Sequence, residues 1–158
     1  MRSEIDNLIN SKDFLDFLIE NLTSAILVVD KNFRIRKINN CFKTLFSKNE
    51  KDVLNRLCGN AIGCAFTIEE RKPCGETLKC DQCVIRLCMQ KIFTEKNGNI
   101  HHTAIRKTFH INNRFVSKHI RMRAKYAKYH GEDLIILIAD DVTAIEGQKK
   151  KYEDMAYK

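Results

Sequence analysis

Long apolar runs are missing from this 158-residue chain. No stretch approaches the roughly 18 consecutive apolar residues that a membrane-spanning helix needs, so no transmembrane helix is expected. The opening residues, MRSEIDNLIN, lack an apolar core followed by a small-residue cleavage site. No signal peptide is therefore expected, and a cytoplasmic location is. Proline occurs once, at Pro73, and glycine six times. There is no low-complexity linker and no internal repeat. The length suits one domain with a helical extension. Aromatics are sparse among the cations. Lys and Arg number 28 against 20 Asp and Glu, a net charge of +8, and they are spread over the whole chain with a modest cluster at Lys149–Lys151. That pattern suits a solvated surface, and nucleic-acid binding is not expected. No Cys-His-Asn/Asp constellation and no serine or carboxylate motif is readable, so the chain is not expected to be an enzyme.

What is abundant is cysteine. Six of the seven cysteines fall within residues 58–88, CGNAIGCAFTIEERKPCGETLKCDQCVIRLC. Four of them, Cys64, Cys74, Cys80 and Cys83, are spaced C-x9-C-x5-C-x2-C. In a reducing compartment such a cluster points to metal or redox chemistry rather than disulfides. Seven is also odd, which excludes complete intrachain pairing. Thiolates are soft ligands that suit zinc, copper(I) and iron–sulfur clusters. The first expectation is that these four hold an iron–sulfur cluster, 4Fe–4S before 2Fe–2S. A structural zinc site is the alternative, but it usually uses two short-spaced pairs, and only Cys80/Cys83 is one. A thiol–disulfide switch at Cys80/Cys83, with Cys58 or Cys88 as resolving partner, comes third. Cys41 stands apart and reads as a small buried apolar residue.

Gly59, Gly63, Gly75 and Pro73 beside these cysteines imply loops, where backbone amides could approach a sulfur closely. Val84, Leu87, Cys88 and Ile92 follow a helical period over 83–95, with Asp81 placed to cap that helix. Its N-terminus would lower the pKa of nearby thiols. Arg86 and Lys79 are candidate donors to the sulfurs. The histidines His101, His102, His110, His119 and His130 read as structural.

Elsewhere the chain alternates between strand and helix signals. Ile5, Leu8, Leu15, Ile19 and Leu22 follow a heptad over 3–22, a helix that docks, dimerises or packs on its own sheet; Ser11 could cap its restart. Ala25–Val29 and 33–38 read as a hairpin across the turn Asp30-Lys31-Asn32. Residues 40–46 and 51–57 read as short helices, the first with Phe42, Leu45 and Phe46 turned inward. Residues 100–111 and 116–126 read as strands across an Asn112-Asn113 turn. The apolar run 134–139 reads as the central strand. Thr143 with Glu146 forms a capping-box pattern.

The order of these elements resembles a PAS domain over about residues 20–147. AILVVDKNFRIRKIN is similar to the first two PAS strands, NNCFKTLF to the first helix, and Asp141-Val142-Thr143 to the turn that closes the last strand. GNAIGC, then CG, then CDQCVIRLC resembles a cysteine-rich PAS subgroup associated with iron–sulfur sensing. The resemblance implies an α+β fold: an antiparallel five-stranded sheet with short helices on one face. An N-terminal amphipathic helix (1–22) and the start of a C-terminal signalling helix (148–158) would flank a sensor domain (23–147) carrying a cysteine-rich insertion (58–88). It also implies cluster binding through Cys64, Cys74, Cys80 and Cys83, a redox or oxygen signal, a homodimer, and a kinase or other output domain or partner. Flavin and haem variants of the fold are not matched: there is no G-x-N-C-R-F-L-Q-like run, and Val84 follows the CxxC where haem attachment needs His.

Overall fold

The computed structural model describes residues 12–156. The heptad positions Ile5 and Leu8 and the Ser11 cap lie outside these residues. Helix α1 (Lys12–Asn21) buries none of its residues, and Leu15, Phe17 and Leu18 are exposed. Strands β1 (Ala25–Asp30) and β2 (Ile35–Ile38) form the first hairpin, followed by helix α2 (Asn40–Phe46). Two short helices follow, α3 (Cys58–Ile62) and α4 (Ala65–Glu69), and then the longer α5 (Val84–Glu95). Strands β3 (Asn99–Ile111), β4 (Arg114–Tyr129) and β5 (Glu132–Asp141) complete the sheet, and helix α6 (Thr143–Ala156) leaves it.

The five strands lie in the order β2-β1-β5-β4-β3, and every pairing is antiparallel. The apolar run 134–139 is the middle strand, as expected. Its odd positions Ile135, Leu137 and Ala139 are buried, together with Leu27 and Val29 of β1 and Ile120, Met122 and Ala124 of β4. Alternation along each strand puts these side chains on one face. Phe42 and Phe46 of α2 and Cys88, Met89 and Ile92 of α5 close over it. The two long hairpins turn where the backbone needs positive φ at two successive residues, Asn112-Asn113 and His130-Gly131. Asn and Gly accept that conformation at little cost.

Asn39 pins the start of the sheet. Its side chain is fully buried. It accepts from the N–H groups of Ile26 and Phe42 and donates to the carbonyls of Ile19 and Ser24, at 2.9–3.1 Å. A buried amide so fully satisfied ties α1, β1 and α2 together.

Several local expectations are corrected. Residues 51–57 make only a 3-10 turn at Glu50–Asp52, because Asn55 takes φ +64 and ends any helix. Phe33 is not in the second strand; at φ +61 it belongs to the turn before it. The segment after Cys58 contains α3 and α4 rather than loop alone. On α5 the buried face is Cys88, Met89 and Ile92, while Val84 and Leu87 are exposed. Asp81 does not cap α5; Cys83 holds the cap position without a side-chain bond. The capping box at Thr143 does not form either. The Thr143 hydroxyl donates to Asp141 and accepts from the His119 N–H, and Glu146 pairs with Lys149 instead.

These bonds root α6 on β4 and β5. Burial works to raise the Asp141 pKa, but the Lys118 ammonium and the Thr143 hydroxyl and N–H outweigh it and hold the carboxyl below its usual range. A depressed carboxyl contributes stability that is complete above its unfolded value, about pH 4, and is lost as pH falls through the folded value. Asp141→Asn is therefore expected to flatten the loss of stability on acidification below about pH 4, followed by thermal melts across pH. Thr143→Val leaves the His119 N–H without a partner and is expected to cost about 1–3 kcal/mol in urea unfolding.

Candidate metal centre

The cysteine segment is fastened to the sheet at Gly63 and Cys64. The His110 N–H donates to the Gly63 carbonyl at 2.6 Å, and Cys64 forms an antiparallel bridge with Phe109 of β3. Gly63 is at φ +78, and a Cβ there would stand 2.6 Å from the His110 carbonyl oxygen. Only glycine fits both demands. The Cys64 N–H donates to the Gly59 carbonyl at 2.9 Å, and the Thr67 hydroxyl donates to the Cys64 carbonyl at 2.7 Å. Cys64 is thus held from both sides between α3 and α4.

Cys74 is positioned by α3. Its N–H donates to Asn60 Oδ1 at 2.8 Å. Its sulfur accepts from the Gly59 N–H, and Arg86 Nη1 lies 3.8 Å away. A Cβ on Gly59 would stand 2.6 Å from that sulfur. Burial nonetheless keeps the Cys74 thiol above its usual pKa. Cys80 has the opposite balance. Burial pushes its pKa up, but the Thr77 hydroxyl at 2.9 Å, the Thr77 N–H and the Gly75 N–H at 3.1 Å bring it below the ordinary thiol value. Cys80 is in a 3-10 turn, Cys80–Gln82, that leads into α5. Cys83 stands at the N-cap of α5, with Lys107 Nζ 3.9 Å from its sulfur.

All four of these cysteines line one cavity, with about 30 Å³ of free space inside it. Lys79, Arg86 and Lys107 line it too, and no Asp, Glu or His does. Arg86 stacks over the Phe33 ring at 4.6 Å and rests against Gly75, at φ +100, where a Cβ would come within 2.7 Å of the guanidinium. Burial works against the charge of Lys107, but Cys83, Cys64 and Cys74 outweigh it and raise its pKa. Among the described residues, no three of His, Cys, Asp and Glu stand close enough together to clasp one metal ion. The sulfurs surround a space rather than meeting at a point.

The other cysteines divide clearly. Cys58 also lines the cavity, but burial pushes its pKa to about 12, so it stays a thiol at neutral pH. Cys88 belongs to the core, away from the cavity, with its pKa raised by burial to about 11. Cys41 is half-buried rather than buried, and its thiol donates to the Thr23 carbonyl at 3.2 Å.

Arg86 and Lys79 lie at the cavity as the sequence suggested. Lys107 and Thr77 were not singled out there. Lys107 had a readable signal. It falls between Ile105 and Phe109 on the buried register of β3, where a lysine needs a partner.

No family model and no curated protein matches this chain. Solved structures do. The chain is similar to an RNA-binding light-oxygen-voltage receptor at 15% identity and TM-score 0.65, covering 99% of this chain and 40% of that one. It is similar to the PAS domain of BvgS from Bordetella pertussis at 15% identity and TM-score 0.57, over 92% and 96% of the two chains. The PAS domain of nitrogen regulation protein NR(II) from Vibrio parahaemolyticus matches at 12% identity and TM-score 0.54, over 80% and 96%. The fold is the PAS fold.

Gly59→Ala is expected to displace Cys74 and cost about 1–3 kcal/mol by overpacking. Timed thiol labelling should find Cys74 reacting faster than in the parent chain. Gly147→Ala on α6, where a Cβ meets nothing within 4 Å, is expected to be neutral or stabilising.

Proposed function

We propose that this chain is a redox- or oxygen-sensing PAS module that binds an iron–sulfur cluster through Cys64, Cys74, Cys80 and Cys83. The observation that carries this reading is the cavity itself. These four cysteines and Cys58 line it with three cations, and no carboxylate does. An all-thiolate cluster is anionic, and its potential responds to hydrogen bonds at the sulfurs and to nearby charge. The donors are in place: Gly59 at Cys74, Thr77 and Gly75 at Cys80, and Lys107 beside Cys83. A single zinc ion would need the four sulfurs drawn together around one centre at about 2.3 Å. Among the described residues no three of them stand that close, whereas a cluster with four corners takes one thiolate at each and tolerates wider spacing.

When bound, a cluster would supply a one-electron redox change and a lability toward oxygen. The chain's own residues would carry the consequence outward. Cys83 starts α5, and α5 packs on β3, β4 and β5. Cys64 is tied to β3, and β4 and β5 hold the root of α6 through His119, Asp141 and Thr143. Helix α6 buries none of its residues, and Ile145, Tyr152 and Met155 are exposed for a partner copy, a kinase or another output domain. Such a signal is only as large as the difference in binding energy between the two conformations. The reading is that of a sensor rather than an enzyme. Among the described residues no helix is long and apolar enough to cross a membrane.

The test is a visible spectrum of anaerobically purified protein, with iron, sulfide and zinc assayed on the same sample. A brown protein with about four iron and four sulfide per chain is expected. Serine at 64, 74, 80 or 83 should abolish the colour, and serine at 41 or 88 should not. A colourless protein carrying one zinc would overturn the cluster and make the segment a structural staple. Lys107→Met and Arg86→Met are expected to keep the cluster and lower its potential, because each removes a cation that favours the reduced state.

A further inference from the structure

The sheet ends on one side in a strand whose free edge is paired for a single step. Strand β3 is last in the sheet order, so one of its edges faces β4 and the other faces away. In an antiparallel pair, successive residues turn their N–H and C=O groups to alternate edges. The His110 N–H points to the free edge, because it donates to the Gly63 carbonyl at 2.6 Å. The register with β4 is unbroken from Ile105 to Ile111. Thr108 and Arg106 therefore present their backbone groups to that same edge. Among the described residues its only backbone partner is the step at Gly63 and Cys64.

An open groove of about 420 Å³ runs beside Thr108 and Arg106. Phe66 of α4 and Val84 and Ile85 of α5 line it, and Val84 is exposed. Lys79, Arg106 and Lys107 give it three cations, and no Asp or Glu lines it. An unpaired strand edge beside apolar side chains takes up an extended peptide as an added strand. A second copy of this edge would bring Arg106 and Lys107 against the same cations. A strand carrying carboxylates would be drawn in.

We propose that the free edge of β3 is a docking site for an extended acidic segment of a partner protein, which adds to the sheet by pairing with Arg106 and Thr108 in line with Cys64. Side chains of an added strand alternate between the two faces of the sheet. One set falls on the side of Lys107 and meets Phe66, Val84 and Ile85. The other falls on the side of Arg106. The segment that fits therefore alternates apolar and acidic residues. Cys83 and Lys107 line both the groove and the cysteine cavity, so a docked strand lies across the approach to the sulfurs. Any effect of docking on a cluster rests on the reading above; the docking itself does not.

The test uses the chain as purified and an end-blocked synthetic peptide, Val-Glu-Val-Glu-Val-Glu. In the free chain, amide hydrogen exchange should be fast at Arg106 and Thr108 and slow at Ile105, Lys107 and Phe109, whose backbone groups face β4. The peptide is expected to slow Arg106 and Thr108 several-fold and saturably, and to leave the other three as they were. The same peptide with Lys in place of Glu should change nothing. Nor should the acidic peptide N-methylated through its middle, which keeps every charge and loses the strand bonds. Arg106→Glu, at an exposed position, should weaken the acidic peptide several-fold and leave the melting temperature unchanged. Equal binding of the N-methylated peptide would reduce the effect to attraction between charges and overturn strand addition. So would no binding of the acidic peptide at millimolar concentration, or slow exchange at Arg106 and Thr108 in the free chain. Protection of those two amides that rises with the chain's own concentration would make the occupant a second copy and overturn the acidic partner. A colourless protein would end the cluster reading and leave every one of these outcomes decisive.

Discussion

The cysteine site depends on a backbone pairing at its middle, the His110 N–H on the Gly63 carbonyl with the bridge from Cys64 to Phe109 beside it, while Leu57 and Cys58 pair with Arg34 and Phe33 at its start. The segment between Cys58 and Cys83 has little regular structure of its own. Two helices of five residues each cannot stand alone in water. They are ordered because α3 and α4 meet at a residue that joins the sheet as if it were a sixth strand one step long. From that point Cys64 is fixed directly, Cys74 through Asn60 and Gly59, and Cys80 and Cys83 through the start of α5. The cavity is therefore a product of the fold rather than of contacts among the sulfurs.

Charge around the cavity is unbalanced in one direction. Burying the Lys107 ammonium is costly unless an opposite charge accompanies it. The protein supplies no carboxylate among the lining residues. What accompanies it are sulfurs, those of Cys83, Cys64 and Cys74. The cations and the thiols each lower the cost of burying the other in its ionised form. Salt bridges elsewhere, such as Arg36 with Glu132, lie at the surface and matter less.

Much of this was legible in the sequence. Strand β5 announced itself by an uninterrupted apolar run, although only its odd positions are buried and Leu134, Ile136 and Ile138 are partly exposed, and β4 by alternation, which marks one face toward water. The hairpin turns were written in Asn112-Asn113 and His130-Gly131, residues that tolerate positive φ. Four of the five cysteines that line the cavity form a spacing visible in the sequence; Cys58, which lines it too, falls outside that spacing. Less readable was whatever tertiary contact decides. The helical periodicity of α5 was visible, but its buried side is rotated so that Val84 and Leu87 face water, because the sheet selects Cys88, Met89 and Ile92. Thr143 and Glu146 matched a helix-start pattern, yet the strand beneath competed for the hydroxyl and won it. Lys107 is remote in sequence from Cys83 and is joined to it only by the packing of α5 on β3.

The stack of Phe33, Arg86 and Gly75 links three segments far apart in the chain. Phe33 sits in the turn between β1 and β2, Arg86 on the first turn of α5, and Gly75 in the loop right after Cys74. A larger residue at 75 must take φ +100 and push the guanidinium off its place, and a guanidinium without the ring beneath it loses its platform. None of the three can drift alone. Over evolutionary time these positions are bound to change as a set: relatives that retain arginine at 86 should retain glycine at 75 and an aromatic ring at 33, and relatives that lose one should have lost the others.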